Sequence, residues 1–172
     1  MTALTITDSQ VASLCAFLRP ATARNDEEFA EFKAAVSEPV LWEEGQALLY
    51  LAAFDEALEQ RFASSADLSG DIVRFVADFR SVHEPRGGLR IDPRLAEAMI
   101  LGKFGLGPEP VIDPGDVLNT QVLMLQMLVT DLRRLDGFDT DALEIFLTRS
   151  RERANKLAAT VIQLLDRPSS SP

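Results

Sequence analysis

At 172 residues with 47% hydrophobic side chains, the chain has the length of one ordinary domain and enough apolar surface for a packed core without disulfides or metal. Its formal net charge of −10 sets a repulsive field against nucleic acid, and a single cysteine excludes an internal disulfide framework. The charge is unevenly placed: residues 26 to 59 hold ten of the 27 acids against the single base Lys33, a formal charge of −9.

The first helix is predicted by Thr7-x-x-Gln10, a capping box, with Ile6 and Val11 as the apolar staple around it. Val11, Leu14, Cys15 and Leu18 then fall on one face, and Pro20 is expected to end the helix. A second helix starts at Asn25, a capping residue toward which Glu28 reaches back, and turns Phe29, Phe32 and Val36 inward and Glu27, Glu31 and Glu38 outward.

The third helix is expected to open near Pro39 and run to about Phe62. Its middle, Ala47 to Phe54, is eight apolar residues in a row, so it is either the central helix or a helix with one face covered by a partner. A fourth follows Ser69 and Gly70, with Ile72, Phe75, Val76 and Phe79 on one stripe and Arg74 spaced to pair with Asp78. Asp92 and Pro93 cap a short fifth helix through about Phe104, and a glycine- and proline-rich loop succeeds it.

Asp113 and Pro114 repeat the cap and proline start for a sixth helix that carries Leu118, Val122, Leu125, Leu128, Val129, Leu132 and Leu135, strongly apolar and expected to face inward, and Gly137 closes it. The last helix runs from about Thr140 to Leu165, with Leu143, Leu147, Ala154, Leu157, Val161 and Leu164 inward and Arg149, Arg153 and Lys156 as an outer basic stripe. The short connection from Asp136 to Asp139 predicts an antiparallel hairpin. No run alternates like a strand, so the expected fold is all-α, a single-domain bundle of six or seven helices over 1–167 with a disordered tail at 168–172.

Chemistry is thinly signalled. Glu27 with Glu31 and Asp55 with Glu59 stand four apart, a spacing that could share an ion, but no Glu-x-x-His accompanies them and a solvated helix face accounts for both pairs. No nucleophile-turn motif is present, and Gly102, Gly105 and Gly107 lack the order of a dinucleotide fingerprint. No catalytic residue, metal ligand or cofactor is therefore expected. The uncharged stretch Val117 to Thr130 is 14 residues, short of a membrane span, and Met1 to Ser9 lacks a basic signal region, so a cytoplasmic setting is expected. The excess of arginine over lysine suggests a GC-rich bacterial genome.

Two functional expectations follow. In the first, Glu43, Glu44, Asp55 and Glu59 rim an apolar strip through Leu48, a surface suited to a basic protein partner with a hydrophobic anchor. Immunity proteins, antitoxins and adaptors that neutralise or carry a basic protein belong to this class, and the apolar girdle would also suit a homodimer seam. The second is a helical small-molecule-binding protein or enzyme whose Arg80 to Arg94 loop offers His83, Arg86 and Arg90 to an anion. Those arginines could instead pair with the chain's own surplus carboxylates and cover the acidic helix.

Overall fold

The computed structural model describes residues 4–35, 45–83, 92–107 and 114–165, which form seven α-helices and one 3-10 turn with no strand among the described residues. The helices are α1 (Asp8–Leu18), α2 (Asp26–Ala35), α3 (Gln46–Phe62), α4 (Leu68–His83), α5 (Pro93–Lys103), α6 (Pro114–Asp136) and α7 (Thr140–Leu165). They pack as an all-α bundle. The expected ends at 36–44, 84–91 and 166–172 lie outside the described residues.

Local capping sets most helix starts. Thr7 Oγ1 accepts from Gln10 N–H at 3.3 Å while Gln10 Oε1 accepts from Thr7 N–H at 2.9 Å, the reciprocal box expected before α1. Asn25 Oδ1 accepts from Glu28 N–H at 2.8 Å, and Glu28 Oε2 reaches back to the Arg24 amide at 2.7 Å. Asp92 and Asp139 cap α5 and α7 through the amides of Arg94 and Ala142. Gly137, at φ +67°, ends α6 in the left-handed region that spares a side chain from clashing with its own carbonyl.

α1 ends at Leu18, with Arg19 as its C-cap immediately before Pro20, as expected, and the chain continues as a 3-10 turn, Arg19–Thr22, in whose first turn a proline lacks no needed amide proton. Two expectations are corrected. The third helix does not run unbroken from Pro39, because Gly45 stands at φ +89° and α3 begins after it. Arg74 bonds Asp71 one turn back at 2.6 Å, where the sequence had suggested Asp78, and also donates to the Gly70 carbonyl.

α3 is the central helix. Leu49, Tyr50, Ala52, Ala53, Phe54, Ala57, Leu58 and Phe62 are all buried, and α6 and α7, joined by the short turn through Gly137 and Phe138, pack along it. Its apolar girdle is thus met mainly by the chain's own helices: Ala47 alone of Ala47 to Phe54 is exposed, with Leu48 and Leu51 half-buried. α4 and α5 form a second pair that closes on the far end of α3, where the Phe62 ring meets Phe75 and Phe104 edge-on at 5.8 and 6.5 Å. α1 and the 3-10 turn seal the remaining side. Val161 and Leu135, expected to face inward, are exposed instead.

Candidate functional site

Every charged side chain of α3 is paired with a charged residue of another helix. Asp55 meets Lys103 at the end of α5, with Nζ 2.8 Å from Oδ1. Glu56, its side chain only 8% exposed, lies 3.2 Å from Arg153 and 3.6 Å from Arg149, and Glu59 receives Arg153 at 2.6 Å. Arg61 pairs with Asp131 of α6 at 3.2 Å while its guanidinium stacks over the Phe62 ring at 4.8 Å. Because Arg149 and Arg153 are one turn apart, α7 brings both guanidinium groups to the same flank of α3.

This arrangement revises the basic stripe. Arg153 does not lie on an outer face of α7; it points at α3 and fastens the two helices. Among the described residues, Lys103 of α5 and Arg149 and Arg153 of α7 are cations that meet the acids of α3; residues 84–91 of the Arg80 to Arg94 loop lie outside the described residues. Burial and charge act on Glu59 in opposite directions, and the Arg153 hydrogen bond prevails, holding its carboxyl below the usual value.

Of the strip assigned to a basic partner, Leu48 is half-buried, and Asp55 and Glu59 are engaged in the ion pairs just described. A partner reaching them has to displace Lys103 or Arg153. Glu43 and Glu44 lie outside the described residues, as do Arg86 and Arg90 of the anion-binding alternative. His83 is the last residue of α4, with its side chain outside the described set.

The acids left facing solvent are elsewhere. On α2, Asp26, Glu27 and Glu31 are exposed and form no ion pair among the described residues, whereas Glu28 is half-buried and turns toward Arg24. Sequence reasoning treated this face as an ordinary wet surface. Its helical spacing was legible, but its freedom from internal pairing was not, since that depends on where α7 and α5 place their cations.

Beside α2 is a groove of about 200 Å³ between the 3-10 turn and α6, with Arg24, Asn25, Asp26, Thr130 and Arg133 in its wall. No group of three or more histidine, cysteine, aspartate or glutamate side chains among the described residues has the geometry to hold a metal ion. Cys15 is a half-buried free thiol. No helix is long and apolar enough to cross a membrane. Comparison of the chain with protein-family models, with curated proteins and with solved structures returns no match.

Proposed function

We propose that the chain is a non-enzymatic protein-binding domain of the immunity-protein, antitoxin or adaptor type, and that its acidic α2 face receives a basic partner. The observation that carries this reading is the division of the acidic window. The acids of α3 are spent on holding the bundle together, while Asp26, Glu27 and Glu31 stand in water without a cation among the described residues. Asp26 and Glu27, in the first turn of α2, favour its positive N-terminal end, but none of the three is paired across helices among the described residues, so they are suited to long-range steering of an oppositely charged surface.

The sequence extends this charge through Glu38, Glu43 and Glu44 up to the start of α3, where Ala47 is exposed and Leu48 half-buried. Apolar contacts of the partner, at Ala47 and Leu48 or elsewhere, would supply the affinity that steering alone does not give.

The test is affinity capture from the source cell with immobilised wild-type chain and two charge-reversed variants, Asp26→Lys/Glu27→Lys/Glu31→Lys and Asp55→Lys/Glu59→Lys. A basic protein should be retained by the wild type, be lost in the α2 variant, and elute as salt rises from about 0.05 to about 0.3 M, where screening shortens to under ~10 Å. A retained protein indifferent to the α2 reversal, or no retained protein at all, refutes the reading. The α3 variant separates the effects, because it should lose stability before it loses a partner.

A further inference from the structure

We propose that the groove between the 3-10 turn and α6 is a binding site for a small oxyanion, a phosphate or carboxylate group of a metabolite-sized ligand. Two arginines, Arg24 before α2 and Arg133 near the end of α6, line one concavity from distant parts of the chain. Arg133 is half-buried and has no ion-pair partner among the described residues. That sets it apart from Arg61, Arg149 and Arg153, each of which is matched to a carboxylate of another helix.

Holding a guanidinium partly out of water without a counter-charge is unfavourable, and an oxyanion accepting from it in a fork is the geometry that offsets the cost. Arg24 is the mobile member. Its side chain is 84% exposed and its contact with Glu28 is long, 3.9 Å, so it can swing onto a ligand with little loss. Asn25 adds an amide: its oxygen is already committed to the Glu28 N–H, which leaves the NH₂ end as a donor.

The volume of about 200 Å³ limits the occupant, since it lies below the ~300 Å³ at which drug-sized pockets begin and suits a single phosphate or a short dicarboxylate. The chain's overall negative charge is a weak objection. At physiological ionic strength screening acts over ~8 Å, so the acids of the far helices count little against two arginines in direct contact. Asp26 lines the same wall and opposes the ligand, and Glu28, beside Arg24, adds a second carboxylate nearby.

The experiment is isothermal titration of the full chain with inorganic phosphate and, separately, with succinate, with chloride as the control anion. One-site saturation by either anion is expected, and whichever binds more tightly identifies the headgroup. Arg133→Gln and Arg24→Gln should each weaken binding by about tenfold or more, the scale of a lost charge-assisted hydrogen bond. Arg134→Gln, next in sequence and outside the groove, should leave binding unchanged, and Asp26→Asn should tighten it.

The proposal is overturned if neither anion saturates, if both groove arginine variants bind like the wild type, or if Asp26→Asn weakens binding. Should Arg133→Gln fail to fold, the exposed Arg24→Gln decides alone.

Discussion

Arg153 on α7 holds Glu59 on α3 by two guanidinium hydrogen bonds, Nη1 to Oε1 at 2.8 Å and Nη2 to Oε2 at 2.6 Å, and the same Nη2 lies 3.2 Å from Oε2 of Glu56. One arginine thus serves a solvent-facing carboxylate and a buried one. The two are not equal in consequence. Glu59 is 57% exposed, so its loss leaves nothing stranded, whereas removing Arg153 leaves Glu56 in a site 8% exposed with Arg149 at 3.6 Å and the Gln60 amide, which donates to Oε1 at 2.9 Å.

Glu59→Ala is therefore expected to cost less than about 1 kcal/mol, the range of exposed ion pairs. Arg153→Ala should cost about 1–3 kcal/mol, short of the ~3–5 kcal/mol for breaking a fully buried pair because water and Arg149 remain. Urea denaturation of the two variants checks the order. If Glu59→Ala proves the more damaging, Glu56 is not the residue that makes Arg153 matter.

Acid should weaken the fold through two carboxyls in particular. The Arg153 hydrogen bond holds Glu59 below its ordinary 4.5, and the Ser65 hydroxyl, with help from Arg74, holds Asp71 below its ordinary 3.8. In each case the unfolded chain binds the proton more tightly, so the contribution is present above the ordinary value and is lost as pH falls through the folded one. Stability measured by denaturation should begin to drop near pH 4.5 and keep dropping below 3.8. Glu59→Gln should flatten the first part of that decline and Asp71→Asn the second; an unchanged profile in both counts against the assignment.

Helix starts were legible in the sequence because a cap is a contact within four residues: Thr7 with Gln10, Asn25 with Glu28, Asp92 with Arg94. The sign of the charge on α3 was legible too, but its partners were not. Arg153 and Glu59 are 94 positions apart, and which cation reaches which acid is decided by helix packing. Periodicity marked Leu135 and Val161 as inward-facing because it counts apolar positions on a face, not whether a neighbouring helix extends that far to cover them. The groove joins Arg24 to Arg133, a proximity no local pattern encodes.

The break before α3 was missed for the same reason. Gly45 adopts φ +89°, and a Cβ there would sit 3.3 Å from Ile6 Cδ1 and 3.4 Å from Gln10 Nε2, so the N-terminal segment closes onto bare backbone. Gly137 also has a positive φ, +67°, but nothing lies within 4 Å of where its Cβ would be. Gly137→Ala should cost about 1 kcal/mol, the left-handed penalty alone. Gly45→Ala should cost about 2–3 kcal/mol, since crowding against Ile6 adds to that penalty. Equal losses in chemical denaturation would show that the close approach at Gly45 carries no weight.

Tyr50 gives an alkaline counterpart to the carboxyls. It is 1% exposed in the core beside Phe17, and burial pushes its phenol from 10.0 up to about 12, with the polar Gln46 side chain pulling less strongly the other way. Here the folded chain binds the proton more tightly, so the contribution is fully present below pH 10.0 and is lost as pH rises toward about 12. Since this is the only tyrosine in the chain, tyrosinate absorbance reports it without overlap from a second phenol. The folded protein should show no ionisation midpoint near 10.0, and signal should appear only with unfolding or near 12. Tyr50→Phe should remove this part of the alkaline loss of stability. A tyrosinate signal centred near 10.0 while the helical circular dichroism is intact would mean that the phenol is in water, and that α3 is not buried at the level of Tyr50.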